Sequence, residues 1–395
     1  MTTYRFIDLE TILHLSALLE GLAGQARSIA ASLATLDDSQ SVVLHRLASS
    51  VDRSAGFVST KAAAARPGPS WGAGKRPSLF GLLGATQPVT EIEALNETSK
   101  ARVWEEVWLV VAELNRSSAM GRHSGPVFDG LLQDYNTLVR LLETNLVYFD
   151  VDRSVPIGSR SSRAGYRAGV WIGPADADHV LVMIPGMNTT TAGWLDSNLP
   201  DAGRLHELAA ELAEDHGAGE VAVVPLLSYA PPQSFVDAAL GHFWKDGSRE
   251  TAGVLASLPL EGRHVTGWGH SYGAAVLGAT AATGVEFDDL IMAGGAGTGT
   301  ESLAELGVTA DHLFVATNWN DPIRLVPNEY HGVSPATLPH VPVPTAPMTD
   351  FDPWKAMLSV PWFLIDGLPD HDYLEDETAT RAFAAITIGL DDLED

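Results

Sequence analysis

Residues 263–278 read Arg-His-Val-Thr-Gly-Trp-Gly-His-Ser-Tyr-Gly-Ala-Ala-Val-Leu-Gly. A short apolar run ends at Gly269-His270-Ser271-Tyr272-Gly273, and a small-residue helical pattern (Ala274, Ala275, Val276, Leu277) begins at once. A serine between a strand and a helix on so sharp a turn is a nucleophile elbow. The turn forces the serine into strained backbone and brings the residues two before and two after it close together. Both must be small, and both are glycine, Gly269 and Gly273. The pattern occurs a second time, at Gly68-Pro69-Ser70-Trp71-Gly72, inside the stretch RPGPSWGAGKRPS. Proline and glycine there allow neither a strand before the serine nor a helix after it, so Ser70 reads as a loop residue.

A serine hydroxyl is a weak nucleophile near neutral pH and needs a base, usually histidine, to take its proton. The histidine in turn needs a carboxylate to fix its tautomer and stabilise its charged form. With an elbow of this kind the partners follow in the order Ser, acid, His. The run Leu313–Thr317 reads as a strand, and Asp321 lies just past its end, before Pro322. Asp321 is therefore the expected acid. Asp311 precedes the same strand and belongs at its wrong end, while Asp350 and Asp352 are rivals further on. Of the 13 histidines, His264 and His312 start strands at the far edge. His270 adjoins the nucleophile and is expected to pack, and His331 and His340 fall in a Pro-rich stretch. His371, in Gly367-Leu368-Pro369-Asp370-His371-Asp372-Tyr373-Leu374, precedes the last helical pattern and is the expected base.

A tetrahedral oxyanion needs N–H donors. The strand-like run His179–Ile184 ends in Pro185-Gly186-Met187-Asn188-Thr189-Thr190. Glycine there lets the chain turn an amide inward, so the amides of Met187 and Tyr272 are the expected oxyanion hole. Asp370 and Asp372 flank His371, but nothing sets a ligand spacing, and neither a metal nor a cofactor is expected.

These residues need a scaffold. From about residue 165 strands and helices alternate. Strands are predicted at Tyr166–Ile172, His179–Ile184, Val221–Leu226, His264–Trp268, Leu290–Ala293 and Leu313–Thr317, and helices over 203–214, 234–258, 272–283 and 376–387. Runs such as HVLVMI and EVAVVPLL are apolar throughout, as in a parallel sheet covered on both faces. The expected fold is α/β, with domains at 1–150 and 151–395. The first 150 residues read as all-helical. Ile12, Leu15, Leu19, Leu22, Ala26, Ile29 and Leu33 form one stripe, and Asp37 or Asp38 caps a helix carrying Val43, Leu47 and Val51. A Pro/Gly-rich break spans 66–88. Two further stripes follow, Trp104, Trp108, Val111, Leu114 and Phe128, Leu131, Tyr135, Leu138, Leu142. The Pro-rich stretch from Val326 to Pro361 is long enough to cover the site as a lid. Trp194, Trp319, Trp354 and Trp362 are candidates to line an apolar pocket.

With 50 acidic against 24 basic residues the formal charge is −26, which disfavours nucleic acid and anionic membrane as partners. The absence of cysteine excludes a thiol nucleophile, a disulfide framework and a thiolate zinc site. No apolar run reaches the roughly 18 residues of a membrane span, and the start MTTYRFIDLETILHL lacks the features of a secretory signal. A cytoplasmic location is expected. The alternative is leaderless export, for which Tyr148…Asp152 matches a weak Tyr-x-x-x-Asp/Glu pattern, as do Tyr4…Asp8 and Tyr373…Glu377.

Together GHSYG, VLVMIPGMNTT, NDPI and DHDYL resemble an actinobacterial α/β-hydrolase family whose members often carry a helical N-terminal extension. The likeness covers about residues 150–390. It implies a serine hydrolase with Ser271, Asp321 and His371 at the matching positions; the family pattern has glycine before the histidine, where this chain has Asp370. The expected activity is cleavage of a small-molecule carboxylic ester through an acyl-enzyme on Ser271. An amidase or peptidase using the same residues is the alternative, as is a non-catalytic scaffold whose helical region binds a protein partner.

Overall fold

The computed structural model describes residues 90–390 apart from 235–236, 239–241, 319–320, 322, 324–330 and 347–370. They belong to one unit, Thr90–Asp395, separated by its contacts from Met1–Val89. The helical stripes expected before residue 52, the break at 66–88 and Ser70 therefore lie outside the described residues. So do Trp319, Trp354, Trp362, Asp350, Asp352 and parts of the expected lid.

The unit is built on one eight-stranded sheet in the order β1-β2-β4-β3-β5-β6-β7-β8. Its strands are β1 Leu146–Val151, β2 Tyr166–Val170, β3 His179–Ile184, β4 Val221–Leu227, β5 His264–His270, β6 Asp289–Ala293, β7 Leu313–Ala316 and β8 Val341–Pro342. From β4 across to β8 every pairing is parallel, while β1–β2 and β2–β4 are antiparallel. The sequence reading placed no strand at β1, in which Tyr148 of the export pattern stands part-buried, or at the two-residue β8.

Among the described residues, six helices of ten or more residues flank the sheet: α1 Glu91–Ala119, α2 Pro126–Leu142, α3 Leu199–His216, α4 His242–Leu255, α5 Tyr272–Ala281 and α6 Glu377–Thr387. The continuous apolar strands are explained by burial on both sides. On β3, Val180, Val182 and Ile184 join a core that includes Val276 and Leu277 of α5 and Val254 of α4. Leu181 and Met183 face the other way, into a core formed with Leu205 and Ala209 of α3 and Phe383 and Ile386 of α6. Alternation survives, but both faces are dry.

Helix α1 starts on a capping box, in which the Thr90 hydroxyl accepts from the Glu93 amide and the Glu93 carboxylate accepts from the Thr90 amide. Its buried face differs from the expected stripe. Ile92, Val103, Val107, Val110 and Leu114 point inward, whereas Trp104 is 37% exposed. The rotation follows from Glu106. This carboxylate is buried among apolar neighbours because it pairs with Arg160 at 2.5 Å and Arg153 at 2.8 Å. A periodicity count that treats glutamate as a surface residue misplaces the face by about one position.

Candidate active site

Parallel pairing brings the ends of four strands level. Ile184 is opposite Gly269, His270 opposite Ala293, and Ala293 opposite Ala316. The segments that leave these strand ends carry the expected oxyanion turn, Ser271 and Asp321. They emerge at the carboxyl edge, where open parallel sheets place their ligand sites.

Ser271 sits between β5 and α5 with φ 55° and ψ −122°. Among described residues only three non-glycine residues have positive φ, and Ser271 and Asn188 are two of them. Such backbone costs about 1–3 kcal/mol and needs surroundings that enforce it. They are visible here. The Ser271 amide donates to the Ala293 carbonyl at 2.8 Å. A Cβ on Gly269 would lie 2.7 Å from Cα of Ala274, and one on Gly273 would lie 2.7 Å from the Pro185 carbonyl oxygen and closer still to that of Ile184. The flanking glycines therefore answer to backbone crowding on both sides of the turn.

The turn after β3 lies against the serine. A Cβ on Gly186 would come 2.9 Å from Cβ of Ser271 and 3.4 Å from its Oγ. The turn is pinned from the segment that follows β4. The fully buried Tyr229 hydroxyl donates to the Pro185 carbonyl at 2.7 Å. The Asn188 amide donates to the Pro232 carbonyl at 2.9 Å, and Gln233 Nε2 donates to the Thr189 carbonyl at 3.2 Å. The peptide that bears the Met187 amide is thus bracketed by two fixed ones. The amides of Met187 and Tyr272 make no backbone hydrogen bond among the described residues. The Tyr272 side chain is buried. Its hydroxyl accepts from the Trp244 amide at 3.0 Å, and burial pushes its pKa up to about 12. Its ring meets His331 edge-on at 5.1 Å.

His371 and Asp321, 50 residues apart in sequence, meet in space. His371 Nδ1 is 2.7 Å from Asp321 Oδ2, with the carboxylate side chain fully buried. A carboxylate only accepts, so Nδ1 carries the proton and the lone pair is on Nε2. Nε2 is buried and makes no hydrogen bond among the described residues. The second carboxylate oxygen accepts from the Ile323 amide at 2.8 Å. The imidazole is held beside the serine turn from two sides. It lies over Gly294, where a Cβ would come 2.8 Å from its Cε1. The residue before, Ala293, is the one that holds the Ser271 amide. His270 Nε2–H, from the residue before the serine, donates to the His371 carbonyl at 2.7 Å.

The expectation that His270 packs is met, and the hydrogen bond is added to it. Its ring is 5.7 Å from that of Trp268 and 4.8 Å from that of His371. Burial first, and the neighbouring His371 second, push its pKa down to about 4, so it is neutral around pH 7. Two tyrosines escaped the sequence reading, Tyr229 and Tyr373. Tyr229 lies in no motif, and Tyr373 stands in DHDYL, where only its position two residues after His371 hinted at a shared role. The Tyr373 hydroxyl donates to Asp321 Oδ2 at 2.7 Å and accepts from the Asn318 amide at 2.9 Å.

His264 and His312 stand at the opposite edge of the sheet, both within 2.8 Å of the Asp289 carboxylate. His331 is buried beside Tyr272. Trp194 is completely buried and packs instead of presenting a surface. Among the described residues no group of three His, Cys, Asp or Glu side chains is placed to hold a metal ion, and no helix is long and apolar enough to cross a membrane.

The sheet and the carboxyl-edge site define the class, an α/β hydrolase. Residues 162–330 match the family model described as alpha/beta hydrolase. Uncharacterized proteins of Mycobacterium tuberculosis and Mycobacterium bovis are each 30% identical over 186 residues, 44% of this chain and 68% of theirs. The chain belongs to this alpha/beta hydrolase family, with mycobacterial members. Solved structures with a similar fold include a dienelactone hydrolase-like promiscuous phosphotriesterase from metagenomic libraries (16% identity, 57% of this chain and 93% of that one, TM-score 0.35). A dienelactone hydrolase of Anabaena variabilis is similar at 15% identity, over 52% of this chain and 94% of that one, with a TM-score of 0.29.

Proposed function

We propose that the protein is a serine hydrolase that cleaves a carboxylic ester through an acyl-enzyme on Ser271. The observation that carries this reading is the 2.7 Å contact between His371 Nδ1 and buried Asp321, which leaves Nε2 as the lone-pair nitrogen beside the serine turn. His371 takes the Ser271 proton as Oγ attacks the substrate carbonyl carbon. Asp321 stabilises the imidazolium that forms. The amides of Met187 and Tyr272 receive the oxyanion, each such donor being worth roughly 3 kcal/mol in the transition state. His371 then protonates the leaving alcohol as the ester C–O bond breaks. Water, deprotonated by His371, attacks the acyl-enzyme and releases the acid and free Ser271.

Ser271→Ala should abolish labelling by a fluorophosphonate probe and hydrolysis of p-nitrophenyl esters. Labelling that survives the substitution would refute the assignment of the nucleophile. An ester panel of increasing chain length reads the acyl preference. Turnover of amides in preference to esters would replace the ester reading with an amidase.

A further inference from the structure

Resting on the reading of Ser271, His371 and Asp321 given above, we infer that Tyr373 is a positioning residue that sets how strongly Asp321 holds the His371 imidazolium. Tyr373 is 2% exposed and its ring packs edge-on against both His371 and His270. Packing alone would be served by phenylalanine. The hydroxyl does something more specific. Its hydrogen goes to Oδ2 of Asp321, the same oxygen that receives Nδ1–H of His371, each at 2.7 Å. Its own oxygen is fixed by the Asn318 amide at 2.9 Å, at the end of the strand that leads into Asp321. The other carboxylate oxygen is occupied by the Ile323 amide.

Two donors on one oxygen divide its negative charge. A phenol hydrogen there weakens the pull of the carboxylate on the imidazolium. The phenol also fixes the carboxylate rotation through a residue two positions from the histidine, on the same segment. Asp321 and His371 are therefore braced against each other by Tyr373 as well as by their direct contact.

The test uses the full-length protein and two changes at one position. Tyr373→Phe removes the donor and should move the acid limb of the pH–rate profile for fluorophosphonate labelling to higher pH by roughly 0.5–1 unit. A fluorinated tyrosine at the same position keeps the ring, the hydroxyl and the fold, donates more strongly, and should move the limb to lower pH. The titration midpoint of the His371 ring, followed by NMR, should move in the same two directions whether or not the protein is labelled. An unmoved midpoint in both variants, or movement in the same direction, overturns the inference. Labelling of the Ser271→Ala protein, or no labelling of the wild type, would overturn the proposed reaction instead. The NMR midpoints still decide the role of Tyr373 in that case.

Discussion

His270 links the serine turn to the histidine segment, and its neutrality has a measurable cost. Its pKa falls from an ordinary 6.5 to about 4 because burial and the adjacent His371 disfavour the charged ring. A histidine kept neutral in the folded state takes up its proton more readily when unfolded. The unfolded chain therefore binds more protons between these two values, and stability falls as pH falls through that window. At about pH 5 the unfolded ring is nearly all protonated and the folded one is not, which costs about 2 kcal/mol relative to about pH 8. Denaturant unfolding of the wild type and of His270→Gln at both pH values measures this. Glutamine keeps a side-chain N–H for the His371 carbonyl but does not titrate. The stability lost between about pH 8 and pH 5 should be smaller in the variant by about 2 kcal/mol. Other groups titrate in both proteins and cancel in the comparison. Equal losses in the two proteins would refute the claim that a neutral ring is enforced at this position.

Other consequences concern the turn, its clamp and the far edge. Gly273→Ala places a Cβ against the carbonyl oxygens of Ile184 and Pro185. It should lower ester turnover by at least about tenfold, read in steady-state kinetics, because either the oxyanion turn or the serine must shift. Tyr229→Phe frees the Pro185 carbonyl and should cut kcat by roughly tenfold with KM little changed, less than the loss of an oxyanion donor itself. At the opposite edge, interaction with the Asp289 carboxylate raises the pKa of His264. That contribution is complete below the ordinary histidine value and lost as pH rises through the raised one. Asp289→Asn should therefore destabilise more at about pH 5.5 than at about pH 9, measured by thermal unfolding.

Much of the scaffold was legible because its signals are local. The runs at His179–Ile184 and His264–Trp268 are apolar without interruption, as only a strand buried on both faces allows. The small residues after Ser271 start a helix at once. Helix α6 was expected at 376–387 and is observed at Glu377–Thr387, capped by Asp376, whose carboxylate accepts from the Thr378 and Ala379 amides. What failed was also physical. The inward face of α1 turned with Glu106, because a buried ion pair depends on Arg160, which comes 54 residues later. β1 escaped notice because it falls at the end of a stretch read as all-helical, although its valines and aromatic residues favour a strand.

The sequence by itself named Ser271 through the strand, glycine and helix around it, and named Asp321, His371, Met187 and Tyr272 by chain order and strand ends. These are short-range properties, carried by residue type and spacing. Tertiary structure alone decided how those residues face each other. It set the 2.7 Å contact of His371 with Asp321, the grip of Tyr229 on the turn after β3, and the use of one carboxylate oxygen by both His371 and Tyr373. Such contacts join segments tens to a hundred residues apart. No periodicity records them, because the register of a parallel sheet brings those segments together only after the chain has folded.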